Sequence, residues 1–301
     1  MTTPQLALQT QPPVAATASR ERKPFDDEID VFGLTHAGKV RPDNQDHFLI
    51  CALRKQVVVQ QTSLPRPEGL GGGVERLAFL AMVADGVGGG LKGEEASRLA
   101  VEEVTQYVSG TMQCYYAAGA ADDLEFTRSL EAAALQTSAE LQRRGEEDPD
   151  YQGMATTLTL YLGVWPRAYL LQVGDSRCYI FRNGELRQIT RDQTMAQDLI
   201  DMGVLKASDV AGTRFTRTLS SSIGGRQVDP VVTRLDMTWG TVVLLCSDGL
   251  TSHVSDDRIR ECLRTMTSAR QVSEDLLREA LDAGGTDNVT IIVGRALRKA
   301  D

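Results

Sequence analysis

No apolar run in this 301-residue chain approaches the roughly 18 residues that a membrane-spanning helix needs, so no membrane role is expected. Cysteine is scarce. The five present, Cys51, Cys114, Cys178, Cys246 and Cys262, are widely spaced and form no C-x-x-C pair, which excludes a disulfide framework and a thiolate zinc site. Reduced thiols in a cytoplasmic protein are the expectation. Basic charge is in deficit, with 32 Lys and Arg against 41 Asp and Glu and a net charge of −9. That balance excludes a general binder of nucleic acid or anionic membrane. The first residues lack the basic-then-apolar order of a secretory signal. What is present is ordinary globular usage, 42% hydrophobic and 24% charged, which excludes wholesale disorder and leaves enough chain to bury a core.

Residues 1–28 are rich in Thr, Gln, Ala and Pro and then charged, and read as a flexible tail. Residues 29–298 read as one domain without repeats. Within it the polar, Pro- and Gly-containing stretch 60–76 reads as a long hairpin loop. Helical spacing runs from Glu94 to Cys114 and from Leu124 to Leu141, where apolar residues recur every three or four positions. The period then falls to two over 156–164, with Leu158, Leu160, Leu162 and Val164 on one face. Strands are expected at 168–173, 177–182, 185–189, 241–246 and 288–294, the Asn183-Gly184 pair marking a hairpin, with helix near 256–283. Hairpin-joined strands with helices gathered in blocks imply an α+β sandwich rather than a parallel βαβ sheet.

Aspartates punctuate these strands. Asp85-Gly86 follows LAFLAMVA, Asp248-Gly249 follows TVVLLCS, Asp175 follows YLLQVG, and Asp287 precedes NVTIIV. Any one Asp-Gly pair reads as a tight turn, but an aspartate interrupting an apolar strand is costly to bury without a cation or hydrogen bonds. If the strands lie side by side, these carboxylates converge on one edge without histidine or cysteine. Such an all-oxygen set suits Mg²⁺ or Mn²⁺, and Gly86 lets a main-chain carbonyl turn toward the ion. Arg41, in the loop of GKVRPDNQD five residues before Asp46, is suited to clamp a phosphoryl group; its alternative is a surface pair with Asp43 or Asp46.

Together, GKVRPDNQD, VADGVGGG with GEEAS, GMATTLT, VGDSR, LLCSDGL and GTDNVT resemble, in chain order, the metal-dependent type 2C Ser/Thr protein phosphatases in their compact bacterial form. The resemblance implies a four-layer sandwich, two antiparallel β-sheets flanked by α-helices, that hydrolyses phosphoserine and phosphothreonine on proteins by attack of a hydroxide shared by two Mn²⁺ or Mg²⁺ ions. It implies that Asp85 bridges the ions, with the Gly86 carbonyl completing one site and Asp248 and Asp287 the other. Asp175 with Asp248 would form a weaker third site, Asp46 would act through water, and Arg41 would bind the substrate phosphate. Residues 193–230 would be a flap. The implied partners are phosphorylated proteins, targets of Ser/Thr kinases, acted on by a monomer.

The chain departs from the family pattern at Val87, where eukaryotic members carry histidine and bacterial ones often methionine, at Gly90-Leu91, where His-Ala is frequent, and at Gln193, the second residue of what is usually Asp-His. None of these removes a carboxylate. A catalytically silent relative that only binds partners is the alternative, against which stands the full set of aspartates. No cysteine heads a C-x₅-R loop, and Cys246 sits within a strand, so a cysteinyl intermediate is not expected. Of the three histidines, His47 should turn away from the face that Asp46 uses, His253 should point outward, and water rather than histidine should supply the leaving-group proton.

Overall fold

The computed structural model describes residues 22–55, 75–88, 91–117, 123–210 and 213–299. In chain order the strands and helices are β1 (Ile29–His36), β2 (Asp46–Lys55), β3 (Glu75–Val87), α1 (Leu91–Ala117), α2 (Asp123–Glu147), β4 (Ala155–Thr156), β5 (Leu158–Val164), β6 (Arg167–Val173), β7 (Arg177–Arg182), β8 (Glu185–Gln188), α3 (Met195–Asp201), α4 (Ala207–Val210), β9 (Val231–Asp236), β10 (Val242–Cys246), α5 (Asp248–Thr251), α6 (Asp256–Arg264), α7 (Ala269–Asp282) and β11 (Val289–Ala296). One sheet runs β1-β11-β10-β7-β8, the other β2-β3-β5-β6-β9 with β4 added to β3. Every pairing is antiparallel. The α+β sandwich expected from periodicity is the fold observed.

Three buried clusters separate four layers. Leu80, Met82 and Ala84 of β3 pack with Leu99, Val104, Phe126 and Leu130 under α1 and α2. Leu244, Ile291 and Val293 pack under Ile259, Leu263, Val272 and Leu276 of α6 and α7. Ala81, Val83, Leu170, Leu245 and Ile292 lie between the sheets. β3 thus buries both faces, which is why its sequence is a continuous apolar run rather than an alternation. Each fully buried Leu or Val contributes roughly 1.5–3 kcal/mol, so these interfaces hold the sheet ends in place for whatever side chains project there. Among the described residues no helix is long and apolar enough to cross a membrane.

Three boundaries differ from those expected. The loop expected over 60–76 lies outside the described residues up to 74, and Glu75 and Arg76 belong to β3. The helical region 256–283 is two helices, because Ser268 caps a fresh start by accepting from the Gln271 amide. Of the tail expected over 1–28, residues 1–21 lie outside the described residues, and residues 22–28 pack on the domain. Asp26 pairs with Arg54 and Arg76, and the Glu28 carbonyl accepts from the Leu297 amide. Of the charges that suggested a solvated tail, Asp26 thus finds partners on β2 and β3, Asp27 pairs with Lys299 and Glu28 with Arg22.

Candidate metal centre

The period of two decides which polar side chains meet at the end of the sandwich. On β3, Ala81 and Val83 face the other sheet, so Asp85 projects between the sheets at their edge. Asp46 stands opposite Asp85 in register and shares the parity of Phe48 and Ile50. From the second sheet, Ser247 follows the parity of Leu245 and Thr290 that of Ile292. Both hydroxyls donate to Asp46 Oδ2, at 2.8 and 2.7 Å. Asp46 Oδ1, also buried, has no hydrogen-bond partner among the described residues. The strand pairing brings in the rest. Cys246 lies opposite both Arg177 and Ile291, so Asp248 just after β10 comes beside Asp175 just before β7 and Asp287 just before β11.

The electrostatics record the same convergence. Burial, and then the fields of Asp46, Asp248, Asp175 and Asp287, push Asp85 well above the usual carboxylate range. Burial raises Asp46 to about 7 despite its two hydroxyl donors, and burial with the neighbouring Asp248 raises Asp175 to about 8. Asp248 is raised by burial and by Asp287. Like charges this close cannot all ionise without a counter-charge. Arg41 supplies one: Nη2 donates to Asp287 Oδ2 at 2.7 Å, and that bond raises the arginine further. Its partner is neither Asp43 nor Asp46, and its side chain remains half exposed.

The donors fit a hard divalent cation: all oxygen, with a buried carboxylate oxygen unpartnered among the described residues and like charge around it that arginine offsets only in part. Among the described residues no three side chains close into a ready-made cage. Water and main-chain oxygens would therefore have to complete the coordination of an ion here, as Mg²⁺ and Mn²⁺ favour. Gly86 is present for a reason other than a freely turning carbonyl. Its φ is not positive, but a Cβ would lie 2.1 Å from the Gly93 carbonyl oxygen. Only glycine lets the first turn of α1 approach the Asp85 turn so closely.

Supporting residues that strand-end reasoning overlooked hold the carboxylates in place. The Thr157 amide and Thr156 hydroxyl both donate to the Asp85 carbonyl at 2.8 Å, and Thr157 Oγ1 accepts from the Asp85 amide at 3.0 Å. Asn288 ties the Arg41 loop to Asp287 by donating to the carbonyls of Ala37 and Asp43. Gln193 Oε1 accepts from Gly174 N at 2.7 Å while its amide donates to the Asp229 carbonyl, pinning the Asp175 turn to the segment 193–230. The signal for Ser247 and Thr290 was legible in strand parity. His47 turns to Ser97, 2.9 Å away, as alternation requires. His253 differs from expectation: half-buried, it accepts from the Thr286 amide through Nε2.

The sequence matches the model of the family described as Protein phosphatase 2C over residues 72–283. That stretch holds Asp85, Asp175 and Asp248; Arg41, Asp46 and Asp287 lie outside it. The chain is 35% identical over 220 residues to the serine/threonine protein phosphatase PstP of Mycobacterium tuberculosis, a match covering 72% of this chain and 40% of that protein. This chain thus spans well under half of that relative's length. The crystal structure of the M. tuberculosis serine/threonine phosphatase PstP/Ppp superimposes with a TM-score of 0.71 at 29% identity, covering 90% of this chain and 99% of that one. The catalytic domain of PstP in complex with two manganese ions superimposes with a TM-score of 0.66 at 28% identity, covering 90% and 99%.

Proposed function

The chain belongs to the protein phosphatase 2C family, and from that premise we propose that it is a metal-dependent phosphatase acting on phosphoserine and phosphothreonine in proteins. The observation that carries the reading is the strand register that brings four other aspartates from both sheets toward Asp85, with Arg41 at their rim. Asp85, Asp248 and Asp287, with the Gly86 main chain, are the residues to hold two Mn²⁺ or Mg²⁺ ions, and Asp175 with Asp248 a weaker third. Bound there, such ions would supply Lewis acidity and a nucleophilic water at neutral pH. Asp46 would keep one oxygen fixed by Ser247 and Thr290 and offer the other, Oδ1, to orient water. Arg41, exchanging Asp287 for the substrate, would hold two phosphoryl oxygens and offset charge that builds on them. Substrates would be proteins phosphorylated by Ser/Thr kinases, met by a cytoplasmic monomer.

The test is dephosphorylation of matched phosphothreonine and phosphotyrosine peptides with Mn²⁺, with Mg²⁺ and with EDTA. Metal-dependent release of phosphate from the phosphothreonine peptide, abolished by EDTA, is expected. Release that survives EDTA, or no release with either ion, would contradict the proposal.

A further inference from the structure

The Asp287 loop and the Asp248 turn are joined by a side chain that neither the strand pattern nor the carboxylate set explains. His253 lies five residues after Asp248, just beyond α5. Its Nε2 accepts from the Thr286 amide at 3.1 Å and lies 3.2 Å from the Thr286 hydroxyl. An acceptor carries no proton, so the ring proton sits on Nδ1. That nitrogen is buried and has no hydrogen-bond partner among the described residues. A buried polar atom left unpaired calls for a compensating role.

Just before Thr286 the backbone is tied to the end of α7, where the Gly284 and Gly285 amides donate to the Leu281 and Ala280 carbonyls at 3.1 and 3.0 Å. Gly284 and Gly285 both take positive φ, 132° and 54°, conformations that belong to no helix or strand and that the adjacent chain must support. From the opposite side, Gly285 O accepts from the Lys39 amide at 2.7 Å, and Gly38 lies so near that a Cβ would come within 2.3 Å of the Asp287 carbonyl oxygen. The loop is therefore held from α7 and from the Arg41 side, and the Thr286 amide is held from the α5 side by His253. Thr286 is the residue immediately before Asp287, so fixing its amide fixes the direction in which the Asp287 carboxylate leaves the chain.

We propose that His253 is a positioning residue that fixes the Asp287 carboxylate by anchoring the Thr286 amide to the end of the Asp248 turn. The proposal rests on Asp287 serving as a site carboxylate, as the preceding section infers. His253 touches no reacting atom; it acts through the backbone of its neighbour, as outer-shell partners of ligands do.

Two variants separate the role from mere space filling. His253→Leu removes the acceptor at similar size, and His253→Gln keeps an acceptor of similar reach. In the metal-free protein, the Thr286 amide should exchange with solvent about tenfold faster in H253L and near the wild-type rate in H253Q. In calorimetric titration, Mn²⁺ affinity should fall by about tenfold in H253L and return in H253Q, with the denaturant midpoints of both variants close to that of wild type. Unchanged Thr286 exchange in H253L would overturn the proposal, as would equal losses in both variants. Wild-type protein that bound no Mn²⁺ would instead refute the metal-dependent reading, and the exchange rates would still decide what His253 does.

Discussion

Arg41 serves two partners with one guanidinium. It is bonded to Asp287, yet its half-exposed fork is also the cationic group at the site rim best shaped for a phosphoryl group. Arg41→Ala should raise KM for a phosphothreonine peptide about tenfold or more, the equivalent of losing a charged hydrogen bond of about 1.5–3 kcal/mol. Mn²⁺ affinity should hold or tighten, because Asp287 loses a competing cation. Kinetics with parallel calorimetry would check both, and unchanged KM would reduce Arg41 to a surface pair. Histidine is not expected to donate the leaving-group proton: His36 takes the Gly38 amide, and His47 faces Ser97. Replacing His36 or His47 with Gln should leave kcat on that peptide within about tenfold, whereas loss of a positioned acid costs about 10²–10⁴-fold. The aspartates were legible residue by residue because an acid ending an apolar strand is conspicuous. His253 and Gln193 were not, since their partners are main-chain groups of distant loops.

At the scale of elements, the strands buried on both faces were legible almost to the residue, as 177–182 shows. β9 escaped notice because its VVTRLD sequence is half exposed along its length and shows neither an apolar run nor a clean alternation. The close approach of α1 to β3 at Gly86 was invisible in sequence, where Asp-Gly reads only as a turn. Gly86→Ala should push Gly93 away and destabilise the fold by about 1–3 kcal/mol, read as a shift in urea midpoint; an unmoved midpoint would show that the first turn of α1 can yield freely. The start of the segment 193–230 has fixed contacts: Thr194 caps α3, and Arg191 pairs with Asp198 and Asp201. Exchanging residues 200–215, which removes Asp201 but leaves Thr194 and Asp198 in place, should change preference among phosphoproteins while hydrolysis of a small aryl phosphate persists. Equal loss on both substrates would make the segment part of the catalytic scaffold.

For the molecule as a whole, the metal-free protein carries repelling carboxylates between its sheets, and pH should expose them. Asp46 and Asp175 titrate near 7 and 8 rather than near 3.8, so between those limits the folded form binds more protons than the unfolded chain. Stability must then fall as pH rises through that window. The depressed Glu28 and Glu140, both near 2, contribute fully above their ordinary 4.5 and leave the trend between pH 5 and 8 untouched. In EDTA, Tm should drop from pH 5 to pH 8 by about 4 °C or more, the equivalent of one to two kcal/mol in a chain this long; with Mn²⁺ in excess the drop should vanish or reverse. A Tm in EDTA that climbed with pH would refute the buried cluster. The most direct measurement is of Asp85→Asn, which removes the charge on which the other four aspartates converge while nearly keeping shape. Mn²⁺ titration by calorimetry and phosphothreonine peptide hydrolysis would be followed in the same samples beside wild type. The expected result is loss of measurable Mn²⁺ binding together with a fall in kcat/KM of about 10³-fold or more, roughly 4 kcal/mol of transition-state stabilisation. Near-normal turnover at micromolar Mn²⁺ in that variant would contradict a metal-dependent site at Asp85.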